Sequence, residues 1–125
     1  MEFDIIFYRD LHGRSPVDEF LDDLRSRHTE LYGLAERGIG KLKRRENHGE
    51  PLTKSIGDGL YELRAGRRET ARVLWFFVAG ARIVLVHGFM KKTNRIPEVH
   101  RAMAVSRKED YLRRHPGARR ESRYD

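Results

Sequence analysis

Four cations interrupt segments that otherwise read as strands. Arg64 closes Leu60-Tyr61-Glu62-Leu63-Arg64, and Arg72 stands early in Ala71-Arg72-Val73-Leu74-Trp75-Phe76-Phe77. Lys91 and Lys92 follow the apolar stretch Arg82–Phe89. A strand rarely holds an arginine unless that face is wet or the guanidinium has a partner. A guanidinium fork grips the non-bridging oxygens of a phosphate, and ammonium groups add compact charge. Consecutive hairpin strands would bring all four to one surface, where the chemistry would be binding or cleavage of a phosphate ester. The competing reading is a solvated sheet face, with Arg64 salt-bridged to Glu62 or Glu69. Arg67, Arg68 and Arg95 lie in the polar connections on either side, and Lys43, Arg44 and Arg45 form a separate basic run. These six widen the candidate polyanion surface, together with His87, which alternates with Leu85 and Phe89 and also suits a packed core or rim position.

Other chemistries find little support in the residue types. There is no cysteine, which removes disulfides, thiolate nucleophiles and cysteine-type zinc sites. The six histidines, at 12, 28, 48, 87, 100 and 115, lack metal-ligand spacing, so neither a metal nor another cofactor is expected. No nucleophile elbow or P-loop occurs. Gly57-Asp58-Gly59 reads as a turn before a strand. Tyr61 and Trp75 could stack on bases, although core packing accounts for both.

The elements that must position these residues follow from periodicity and punctuation. Residues 3–9 read as a strand rich in β-branched and aromatic side chains. Ser15-Pro16-Val17-Asp18 opens a helix with an N-cap, a proline at the first helical position and acids in the first turn. Val17, Phe20, Leu21 and Leu24 line its apolar face. A second helix is expected from about Thr29 to His48, weakened by Gly33, Gly38 and Gly40. Residues 49–59 read as a loop. Three strands follow, Leu60–Ala65, Ala71–Val78 and Arg82–Phe89, joined as an antiparallel meander. A last helix runs from Glu98 to about Arg114. The expected fold is α+β: a small antiparallel sheet of the N-terminal strand plus the meander, two N-terminal helices and a C-terminal helix, with the helices on one face. Residues 1–114 form one domain in this reading, and 115–125 form a basic, disordered tail.

Charge is split along the chain. Residues 1–30 hold 4 basic and 8 acidic side chains, whereas residues 31–125 hold 22 basic and 11 acidic, within an overall charge of +7. That imbalance favours a polyanionic partner such as nucleic acid or a ribonucleoprotein. No apolar run is long enough for a membrane span, and the acidic start, Met1-Glu2-Phe3-Asp4, lacks a signal peptide's basic and apolar regions. Both favour a cytoplasmic protein with no membrane partner.

The stretches Gly59-Leu60-Tyr61-Glu62-Leu63-Arg64, Ala71–Phe77 and Val86-His87-Gly88-Phe89-Met90-Lys91-Lys92-Thr93 through Pro97 resemble the phage-derived, HigB-type branch of the RelE/ParE toxins. The resemblance runs from about Phe3 to Arg114. It implies a RelE-like fold and a toxin encoded beside an antitoxin, commonly a helix-turn-helix DNA-binding protein, so that operator DNA is met only through the antitoxin. Several members cleave messenger RNA on the ribosome, and the resemblance therefore implies a metal-independent endoribonuclease that inhibits translation. A gyrase inhibitor of the ParE kind, or an inactive relative serving as co-repressor, are the alternatives. By position, Arg72 would stabilise the phosphate in the transition state, Arg64 would be a second clamp, and Lys91 or Lys92 would bind phosphate or move a proton. Arg67, Arg68, His87, Arg95, Lys43, Arg44 and Arg45 would contact RNA. Some relatives have a lysine where Glu62 stands. Some carry a catalytic Tyr or His near their C-terminus, where His100, Tyr111 and His115 find no match.

Overall fold

A computed structural model describes residues 2–93 and 95–119. Its elements are β1 (Asp4–Phe7), α1 (Pro16–Arg27), α2 (Thr29–Lys41), β2 (Thr53–Gly57), β3 (Leu60–Ala65), β4 (Thr70–Val78), β5 (Arg82–Lys91) and α3 (Glu98–Arg114), with short 3-10 turns at Arg45–Asn47 and Pro116–Ala118. The α+β class expected from sequence is the one observed, compatible with a RelE-like fold.

The sheet differs from expectation in two ways. It has five strands in the order β1-β5-β4-β3-β2, because the segment read as a loop contains β2. A two-residue turn, Asp58-Gly59, joins β2 to β3, with φ of 57° and 71°. Positive φ at both positions is the geometry that matches strand twist in a tight hairpin, and Asp-Gly suits it. The sheet is also mixed rather than wholly antiparallel. β1 pairs parallel with β5, Ile5 opposite Ile83, while β2 to β5 form an antiparallel meander.

The helices do not share a face. Val17, Leu21 and Leu24 of α1 and Ala35 and Ile39 of α2 pack with Leu63, Val73, Trp75, Ile83 and Leu85. Ala104 and Tyr111 of α3 pack on the other side, against Leu60, Leu74, Phe76, Val84 and Phe89. The reason lies in β4 and β5, whose residues 73–76 and 83–86 are buried on both sides. A strand apolar on both faces needs cover on both.

α1 begins as its sequence dictates, with the Ser15 side chain accepting from the Asp18 amide and Pro16 at the first position. α2 ends at Lys41 rather than His48. The chain is drawn instead toward β1, where the Phe3 amide donates to the Lys43 carbonyl at 2.7 Å and Glu2 bridges Arg44. The tail expected to be disordered from residue 115 is packed at its start. Ala118 is buried, and its carbonyl accepts from the Ala79 amide at 2.7 Å. The rest of that tail, 120–125, lies outside the described residues. No helix among the described residues is long and apolar enough to cross a membrane.

Candidate functional site

Cross-strand register gathers the cations that the sequence leaves scattered. Lys54 pairs with Glu62, Arg64 with Arg72, Arg72 with Phe89, and Thr70 with Lys91. Residues directly opposite each other share a face, so all these side chains belong to the α3 side of the sheet. They occupy its Thr70–Lys91 end, where the apolar cluster beneath α3 gives out.

Three of them form a buried ion cluster. Glu62 is 1% exposed, and Arg72 and Lys91 are each 4% exposed. Arg72 Nη1 donates to Glu62 Oε1, and Arg72 Nε donates to the Thr70 hydroxyl at 2.9 Å. That hydroxyl in turn donates to the Lys91 carbonyl at 2.9 Å. Lys91 Nζ stands 3.5 Å from the second carboxylate oxygen of Glu62. Two cations on one carboxylate leave one positive charge in excess. Burial pulls the Lys91 ammonium below its ordinary pKa; Glu62 opposes that shift and Arg72 adds to it. An open cleft of about 300 Å³ adjoins the cluster, its charged lining residues being Glu50, Lys54, Glu62, Arg64 and Arg72. Exposed Lys54 and Arg64 fringe it. The arrangement offers an anion several donors, with Lys54, Arg64 and Arg72 outnumbering the two carboxylates, Glu50 and Glu62, that also line the cleft.

The anticipated residues divide into groups. Arg64, Arg72 and Lys91 come together. The loops carrying Arg67 and Arg68, and Lys92 and Arg95, leave the same end of the sheet, and all four side chains are exposed; Arg64 donates to the Arg67 carbonyl at 3.4 Å. Lys43, Arg44 and Arg45 are exposed at the other end, beside Phe3 and Glu2. That end holds Arg82, nine positions along β5 from Lys91, or about 30 Å of strand. The basic run is thus separate from the cleft. His87 is 6% exposed and packed against α3 rather than presented to solvent, because Arg107 reaches its Nδ1 and His100 meets its Nε2. Burial first, then the Arg107 and His100 charges, lower its pKa to about 4. Tyr61 and Trp75 stack on each other at 4.6 Å on the α1–α2 side, so neither faces the cleft.

Glu62, Lys54 and Thr70 were not among the anticipated site residues. The alternation of β3 does put Glu62 on the face of Arg64, which was a usable signal. Lys54 had none, since its strand was itself unread.

The family model for phage-derived Gp49-like proteins matches residues 20–109. That span runs from α1 into the last turns of α3 and includes the whole buried cluster. No curated protein matches the chain.

Proposed function

The chain belongs to the phage-derived Gp49-like family, within the RelE/ParE-like toxin group, and from that premise we propose that it is the toxin of a toxin–antitoxin pair of the HigB type, cleaving messenger RNA on the ribosome without a metal. The observation that carries the reading is the buried Arg72–Glu62–Lys91 cluster, with its excess positive charge beside a cleft fringed by Arg64 and Lys54. An anion is what such a wall binds.

In the proposed reaction the ribose 2′-hydroxyl gives its proton to a water molecule as its oxygen attacks the adjacent phosphorus. The bond from phosphorus to the 5′-oxygen breaks, a 2′,3′-cyclic phosphate forms, and a proton reaches the departing 5′-oxygen. Negative charge grows on the non-bridging oxygens during this step, and preorganised cations are the main aid a protein can give. Arg64 meets the phosphate from the rim. Arg72 acts from the wall, its guanidinium plane held by Glu62 and Thr70. Lys91, with a pKa drawn down by burial, or Lys92 beside it, supplies the proton. Arg67, Arg68 and Arg95 hold flanking RNA. The toxin domain runs through the packed turn at Pro116–Ala118 rather than ending at residue 114, and the setting is the cytoplasm. The partners are ribosome-bound messenger and a helix-turn-helix antitoxin, through which alone the chain meets operator DNA.

Expression in cells with mapping of messenger 5′ ends tests the reading. New ends that appear with the protein and vanish with Arg72→Ala are expected. Intact messages during growth arrest would refute it.

A further inference from the structure

A string of three side chains ties α3 to β5. Arg107 Nη1 donates to the Val86 carbonyl at 3.0 Å and lies 2.7 Å from His87 Nδ1. His87 Nε2 lies 2.7 Å from His100 Nδ1. The His100 ring stacks on Phe89 with centroids 4.1 Å apart and planes 10° from parallel. Phe89 is the cross-strand partner of Arg72, so the string ends on the Arg72 flank of the cation cluster.

The donor inventory gives the string a direction. A guanidinium only donates, so His87 Nδ1 must be bare. Neutral imidazole has one N–H, which then sits on His87 Nε2 and points at His100 Nδ1. That nitrogen is therefore an acceptor too, and the His100 proton is on Nε2, across the ring from His87. Protonating His100 would set two N–H groups head to head. His87 cannot yield by switching tautomer, because its Nδ1 faces Arg107. Burial works in the same direction: it lowers the pKa of His100, and, followed by the Arg107 charge, it holds His87 at about 4. The other charged and titratable groups nearby are Arg72 on β4, across Phe89, and Tyr8, Asp10 and Glu19, which act on Arg107 from the β1–α1 side.

We propose that His100 is a permanently uncharged hydrogen-bond donor, through Nε2–H, to a phosphoryl oxygen of the RNA at the Arg72 flank, with His87 and Arg107 as its positioning residues. The assignment rests on the RNA-cleaving reading above. Burial disfavours an imidazolium here, whereas a neutral N–H adds a donor with no such penalty. It also stays a donor across the pH range in which an ordinary histidine switches.

Two measurements test it. The first is nitrogen-15 NMR of histidine-labelled protein without RNA. His87 and His100 should both show a bare Nδ1 and a protonated Nε2 at neutral pH, and neither should titrate near 6.5. In Arg107→Leu the constraint on His87 is gone, and His100 should populate the other tautomer. A His100 proton on Nδ1, or a titration midpoint near 6.5, would overturn the assignment. The second is cleavage of a messenger on purified ribosomes. His100→Phe keeps the stack and removes the donor, and should lower the rate roughly ten- to a hundredfold. Arg107→Leu should cost a similar factor, and the double variant little more, because the two act as one unit. If His100→Phe cleaves as the parent does while Arg72→Ala does not, this assignment fails and the RNA reading stands. If Arg72→Ala also cleaves normally, both fall.

Discussion

Arg72 joins two roles that substitution can separate. Arg72→Lys keeps a charge but loses the planar fork shared between Glu62 and Thr70. Arg72→Ala also removes the charge, and ribosome-dependent cleavage should fall by about 10²–10³. Its melting temperature should fall less than that of Glu62→Ala. Losing Arg72 leaves Glu62 paired with Lys91, whereas losing Glu62 leaves two buried cations facing each other, a loss of about 3–5 kcal/mol for a broken buried pair. Thermal denaturation of the two variants side by side checks the order. If Arg72→Ala is folded and fully active, the phosphate role is wrong. His87 gives a second test. Its folded pKa, about 4, lies below the unfolded value near 6.5. Below pH 6.5 the unfolded chain therefore binds more protons than the native one, and stability falls as pH drops from 6.5 toward 4. The loss reaches at most roughly 3 kcal/mol and then levels off. Melting curves between pH 7 and 4 should show this slope, and His87→Phe should flatten it.

At the scale of elements, α1 is fixed to β5 at Gly88. A methyl group added there would run into the near side of the Phe20 ring, at positions no rotation of a distal group relieves. Gly88→Ala should therefore cost about 1–3 kcal/mol of stability, read by denaturant titration, and Phe20→Leu in the same chain should recover part of it. The periodicity of α1, β3, β4, β5 and α3 was strong enough to read from sequence, as was the convergence of Arg64, Arg72 and Lys91. What was not legible had physical causes. Thr53-Lys54-Ser55-Ile56-Gly57 pairs on one side only and buries little, so it lacks the apolar alternation that betrays a strand, although Asp58-Gly59 was a hairpin signal. The direction of β1 depends on a partner nearly eighty residues away, which no local pattern encodes. The run Lys43, Arg44, Arg45 looked like part of the site because charge is visible in sequence and distance is not. His87 looked ambiguous because its surroundings come from α3, a separate element.

The whole molecule carries +7, and the charges that matter most gather at one end of the sheet. If Lys54, Arg64, Arg72 and Lys91 together neutralise two to four phosphates, the logarithm of RNA affinity should fall with the logarithm of salt at a slope of roughly −1.5 to −3. Removing Arg64 should make the slope shallower by about 0.7. Lys43→Ala with Arg45→Ala, at the far end, should leave it unchanged, and a change there would extend the interface around the molecule. The parallel pairing of β1 with β5 has a consequence in time rather than space. Asp4 to Phe7 are made nearly eighty residues ahead of their partners at 82–85. Closing so long a loop is slow, and it must precede the reward of contact. Lys91 is made later still. A chain halted before β5 leaves the ribosome has neither its closed sheet nor its full cation cluster, so the surface proposed to bind phosphate forms only once β5 has been made.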